Sequence, residues 1–173
     1  ILVDGCRFAS PASGLGAFFT DFSAHSERKA AELGFDFGRM KQDVAELHKL
    51  IASLGEGAAR GRAWLATPVC ALEWLTQRPG VLDWFRFRRV CATEHFRDIH
   101  KILDSAGLKM GVYIFTPSLA PLVGQSYADL AEFTDVFSPM IYRNYPDRPG
   151  IACLNWELSI IPEELGLDGH AAE

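Results

Sequence analysis

The sequence predicts an α/β fold built on a parallel sheet. Three strand-like runs, ILVDGCRF (1–8), KMGVYIF (109–115) and DVFSPMIY (135–142), are separated by stretches of helical periodicity. Strands joined through crossover helices pair in parallel. Each run is followed by polar residues: Asp4 and Arg7, then Thr116 and Ser118, then Tyr142, Arg143 and Asn144. In a parallel sheet these positions share one edge, and ligands bind beyond the carboxyl ends of the strands. At 173 residues and 49% hydrophobic, the chain is long enough and apolar enough to bury one core.

The elements follow in order. Residues 1–8 are short and apolar, and turn chemistry at Ser10-Pro11 ends them. The segment FASPASGLGAFFTDFSAHS, with Gly14 and Gly16, is a long connection. From Glu27 the pattern turns helical through Ala30, Ala31 and Leu33, with a stop at Gly34. A second helix over 36–54 has Asp36 as its N-cap and an apolar stripe of Met40, Val44, Leu47, Leu50, Ile51 and Leu54. Gly55 and Gly57 close it.

Residues 58–90 are less regular. Trp64, Leu65, Leu72, Trp74 and Leu75 indicate helix, and Arg78-Pro79-Gly80 indicates a turn. Trp84 opens an amphipathic helix that runs through Val90, Phe96, Ile99, Ile102 and Leu103 to a stop near Gly107. Arg86, Arg88 and Arg89 read as its solvated face. The β-branched and aromatic run 109–115 is closed by Thr116-Pro117. Leu119 to Phe133 holds a helix with Ser126 as N-cap, 135–142 is the third strand, and Tyr145 to Gly150 is turn-rich. IACLNWEL begins a fourth strand or a helix.

Charge and cysteine usage narrow the partners. A net charge of −5, with 17 scattered basic residues, argues against nucleic acid, which needs clustered Lys and Arg. There is no apolar run of the roughly 18 residues that a membrane span needs, so no membrane partner is expected. Cys6, Cys70, Cys91 and Cys153 lack close spacing and read as small buried thiols, with no metal expected. No Gly-rich phosphate loop follows a strand, and no cofactor is expected.

DGCRFASP, LKMGVYIFTPSLAPLVGQSYADL and FTDVFSPMIYRNY resemble segments of glycoside-hydrolase-like (β/α)8 barrel proteins. In those barrels one strand ends in an Asp-x-x-Arg-aromatic pattern, matched by Asp4, Arg7 and Phe8. A later strand ends in Pro-Met-x-Tyr, matched by Pro139, Met140 and Tyr142. The resemblance implies a TIM (β/α)8 barrel. A whole barrel takes about 250 residues, so the expectation is a partial one, a single truncated domain over 1–173 that forms the C-terminal part. Relatives can carry C-x-C-x-x-C after the first motif, where this chain has Asp21, Ser23 and Ser26. No metal or disulfide role carries over to that segment.

Glycoside hydrolysis generally uses two carboxylates. Asp4 is the first candidate, because a carboxylate held by an Arg at a strand end stays ionised and suits a nucleophile. The competing reading is a structural Asp4–Arg7 pair. Strand alternation puts positions 4 and 7 on opposite faces, so such a pair needs a bend near Gly5. Glu157 is the second catalytic candidate, with Trp156 beside it to stack on a sugar; a solvated helix position is its alternative. Asp135 precedes its strand and should lie at the opposite face. Arg7, Ser118, Gln125, Tyr142, Arg143 and Trp156 are the candidate substrate contacts. Gln125 could equally turn the chain and Tyr142 pack in the core, while Tyr113 is expected in the core.

The resemblance implies a glycoside hydrolase acting on O-glycosidic bonds of an oligo- or polysaccharide. The alternative is a non-catalytic carbohydrate-binding barrel remnant. An uncovered apolar edge before the first strand predicts self-association.

Overall fold

The computed structural model describes residues 1–55, 68–141, 144–145 and 148–149. In chain order the elements begin with β1 (Leu2–Val3), a 3-10 turn (Pro11–Ser13), α1 (Leu15–Phe18), α2 (Ala24–Glu32), α3 (Phe37–Gly55) and α4 (Pro68–Thr76). They continue with α5 (Pro79–Ser105), β2 (Gly111–Ile114), a 3-10 turn (Ala120–Val123), α6 (Tyr127–Leu130), β3 (Val136–Pro139), β4 (Asn144–Tyr145) and β5 (Arg148–Pro149). Two compact units result; among the described residues one is formed by Ile1–Ser10 with those from Arg88 onward, the other by those of Pro11–Phe87. Residues 79–87 of α5 belong to the second unit and 88–105 to the first.

The first unit holds a three-stranded parallel sheet in the order β1-β2-β3. Leu2 lies opposite Gly111 and Val3 opposite Val112, while Gly111 to Ile114 pair with Val136 to Pro139. This is the α/β, parallel arrangement expected from the alternation of strands and helices, with short strands. A separate antiparallel pair joins β4 to β5.

Strand alternation divides the sheet's two faces. Met110, Val112 and Ile114 are buried on one face among Phe96 of α5, Leu119, Ala120, Val123, Leu130 and Met140. The amphipathic stripe of α5 supplies Phe96, Ile99 and Leu103 to this core. Leu2, Gly111 and Val136 line the other face, where Leu2 is 51% and Val136 56% exposed. A Cβ at Gly111 would lie 2.6 Å from Leu2 Cδ2, the tip of a half-exposed side chain, and 3.2 Å from the Val136 carbonyl oxygen, so the strands approach closely here.

The stretch Leu119 to Phe133, expected to hold a helix capped by Ser126, forms two short pieces, the 3-10 turn and α6. Gly124 sits between them in the left-handed region at φ 77°, and a Cβ there would come 2.9 Å from the Arg88 carbonyl oxygen. Chain packing and backbone handedness both break the helix at that point. Ser126 then caps α6 as expected, accepting from the Asp129 N–H at 3.3 Å.

In the second unit α2 starts at Ala24, ahead of the expected Glu27, because the Ser23 hydroxyl caps it by accepting from the Ser26 N–H at 3.2 Å. Ser23 and Ser26 are thus both engaged at this helix cap, with their hydroxyls 3.1 Å apart. Asp36 caps α3 as expected, its Oδ1 accepting from Arg39 N–H at 2.9 Å. Met40 and Val44 of the expected stripe are buried.

The turn expected at Arg78-Pro79-Gly80 falls at Gln77-Arg78, between α4 and α5, and α5 already begins at Pro79. Proline suits a first helical position, where its missing N–H is not needed. Gly80 packs so closely on α3 that a Cβ would lie 2.6 Å from the Arg39 carbonyl oxygen. Its N–H donates to the buried Asp43 carboxylate at 2.8 Å. Trp84, also buried, packs edge-on against Phe18 and donates its indole N–H to the Thr20 carbonyl at 3.2 Å.

Candidate functional site

The parallel register brings the carboxyl ends of β1, β2 and β3 to one edge of the sheet. Asp4 follows β1 immediately, Phe115 to Ser118 follow β2, and Met140 and Ile141 follow β3. Asp135 lies at the other end, as expected, its Oδ2 accepting from Met110 N–H at 3.0 Å.

The chain bends after Asp4. Gly5 takes φ 79°, and Arg7 N–H donates to the Gly5 carbonyl at 2.8 Å. The bend that an Asp4–Arg7 pair would need is therefore present, yet the two side chains form no ion pair among the described residues. Asp4 is exposed, and its Oδ1 accepts the Gly5 N–H at 2.7 Å. Arg7 instead lays its guanidinium over the Phe115 ring, 4.8 Å from the centroid. Asp4 is thus an exposed carboxylate at a strand end, and Arg7 an exposed cation on an aromatic base.

The residues that follow Arg7 are structural. Phe8 N–H donates to Val123 C=O at 3.1 Å, and the Phe8 ring lies under the Arg88 guanidinium at 4.7 Å. Arg88 is fully buried and donates to the Ala9 carbonyl at 3.0 Å. It does not belong to a solvated face, whereas Arg86 and Arg89 do. Gln125 is 2% exposed: its Oε1 accepts from Phe115 N–H at 2.9 Å, and its Nε2 donates to Cys6 C=O at 3.4 Å. Both ends of that amide tie the turn after β1 to the end of β2.

Phe115 has a second tether, since Tyr127 donates its hydroxyl to the Phe115 carbonyl at 2.8 Å. Burial raises the Tyr127 hydroxyl above its usual titration range, which keeps it a donor. Where β2 ends, two side chains thus replace the lost ladder partners of Phe115. Thr116 is buried and Ser118 exposed, with their hydroxyls 3.3 Å apart. Tyr113 is half-buried against the core. Tyr142, Arg143, Trp156 and Glu157 lie outside the described residues.

A cleft of about 260 Å³ opens beside this edge, lined by Gly5, Cys6, Arg7, Phe8, Cys91, Ala92 and His95. Burial, and then the Asp4 charge, push the Cys6 thiol above its ordinary value. Among the described residues no three His, Cys, Asp or Glu side chains converge to hold a metal ion, Cys6, Cys91 and His95 included. No described helix is long and apolar enough to cross a membrane.

The sequence reading missed Tyr127, Arg88 and His95. Arg88 had a visible signal, since it falls on the stripe Trp84, Arg88, Ala92, Phe96 at four-residue spacing. Tyr127 and His95 had none, because their roles depend on segments brought together only by folding. Comparison with protein-family models, curated proteins and solved structures gives no match to this chain.

Proposed function

We propose that β1, β2 and β3 are consecutive strands of the C-terminal part of a (β/α)8 barrel, and that the barrel is a glycoside hydrolase acting on O-glycosidic bonds of an oligo- or polysaccharide. The observation that carries the reading is the sheet edge itself. An exposed carboxylate, Asp4, ends one parallel strand, and hydroxyl groups end its neighbour. The sheet's second face, with Leu2 and Val136 half exposed, suits the inward side of such a barrel. In this reading Asp4 is the nucleophile or charge stabiliser, and Glu157 is the candidate acid. Tyr142, Arg143 and Trp156 complete the sugar contacts beside Arg7 and Ser118.

A second reading, a non-catalytic carbohydrate-binding module, is favoured by one specific observation. Among the described residues, the strand ends carry no carboxylate besides Asp4. Hydrolysis needs a partner carboxylate at about 5–5.5 Å for retention or about 6.5–9.5 Å for inversion.

Asp4→Asn separates the two. Asp4 is exposed and accepts only its neighbour's N–H, so the substitution should leave the melting temperature nearly unchanged. In a glycosidase, turnover on a panel of oligosaccharides should fall at least about 100-fold with binding retained. Unchanged turnover in Asp4→Asn would remove Asp4 from the chemistry. Sugar binding without turnover in the unsubstituted full-length protein would select the binding module.

A further inference from the structure

We infer that the cleft at the carboxyl end of β1 is a carboxylate subsite, formed by Arg7 with His95, for a uronic-acid unit of the saccharide. The inference rests on the carbohydrate reading above and adds a substrate class to it.

Arg7 carries the argument. The arginines of the neighbouring helix that reach solvent have carboxylate partners within the chain: exposed Arg86 pairs with Asp83, exposed Arg89 with Asp129 and half-buried Arg97 with Glu132. Arg7 has no such partner among the described residues. It is nonetheless held in place, because its guanidinium rests on the Phe115 ring, and Phe115 is fixed at both its N–H and its carbonyl. A cation on an aromatic face keeps its N–H edges free for a planar acceptor, and the guanidinium fork matches a carboxylate with two parallel hydrogen bonds.

His95, exposed on α5, lines the same cleft and adds a ring nitrogen to its wall. A charge-assisted pair is stronger than a bond to a neutral hydroxyl, so a fixed cation with no counter-ion among the described residues favours an anionic ring. At about 260 Å³ the cleft is smaller than the roughly 300–1,000 Å³ of a whole-ligand pocket, so it accommodates one acidic ring of a longer chain.

The test is calorimetric titration of the chain with uronate trimers (galacturonate, glucuronate and mannuronate), with their methyl esters, and with neutral glucan and xylan trimers. The ester keeps ring and linkage and removes the charge. At least one acid should bind roughly tenfold or more tightly than its own ester. Added salt should shrink that ratio. Arg7→Gln should abolish that preference, so that acid and ester bind alike, and Arg7→Lys should keep part of it, since charge remains and the fork is lost. Equal binding of acid and ester, or a preference that survives Arg7→Gln in a protein with an unchanged melt, overturns the subsite and leaves the carbohydrate reading standing. Absence of binding to every saccharide overturns both.

Discussion

Asp129 gathers more donors than any carboxylate at the strand ends. Arg89 grips it with two N–H groups, one of them at 2.6 Å to Oδ2, and Thr93 donates its hydroxyl at 3.3 Å. These contacts, the Arg89 hydrogen bonds first among them, hold its carboxyl below the usual aspartate value. A carboxylate whose folded value is depressed stabilises the fold above the unfolded value, about 3.9 for Asp, and that contribution is lost as pH falls through the lower folded value. Asp129→Asn should therefore lower the melting temperature at neutral pH and bring it level with the parent in strong acid. Melting curves from pH 7 to pH 2 read this directly. A constant gap between the two proteins down to pH 2 would show that the ion pair contributes nothing titratable. Gln125 makes the complementary point, as a polar side chain can stand in a motif and commit both ends of its amide to backbone.

At the scale of elements, the start of α5 shows local preference and tertiary fit in conflict. Within a helix, alanine is favoured over glycine by about 0.8–1.0 kcal/mol. At position 80 the added Cβ would lie 2.6 Å from the Arg39 carbonyl oxygen and 2.7 Å from Asp43 Oδ2. Overpacking of this kind costs about 1–3 kcal/mol, and the rigid neighbour is helix backbone. Gly80→Ala should therefore be net destabilising, read as a lower urea midpoint with an unchanged slope. A raised midpoint would mean that α3 can move aside.

The same contact explains what the sequence concealed. The α3 stripe and the Asp36 cap were legible because both are local, at spacings of three and four residues. Pro79-Gly80 looked like a turn because the reason for its glycine lies on α3, 37 residues back at Asp43. The reason for Gly124 was hidden likewise, since Arg88 and Phe8 crowd it from distant segments. Of the candidate site, the strand-end positions of Asp4 and Arg7 could be read from the pattern. The Phe115 ring that redirects Arg7 away from Asp4 could not, because cross-strand neighbours depend on register.

At the scale of the whole molecule, the sheet poses an unbalanced account. Parallel sheets are normally covered on both faces, and here one face packs on α5 and the segments after β2 while the other shows Leu2 and Val136 to solvent. Ile1, at 61% exposed, extends that apolar surface beside them in a cleft shared with Gly111. The proposed barrel resolves the imbalance, since its inward face is filled by side chains from further strands. Exposed apolar surface next to a short edge strand also favours association. The 173-residue chain should therefore scatter light as oligomers whose size grows with concentration. Leu2→Lys combined with Val136→Lys should shift it toward monomer, because the lysine stems still cover Gly111 and the sheet while their charges stay in water and repel a second copy. Both positions are more than half exposed, so the pair should change the melting temperature little and report on association alone. A monodisperse monomer at every concentration, before any substitution, would mean that this face is covered within the chain itself, and the barrel reading would lose the support it draws from it.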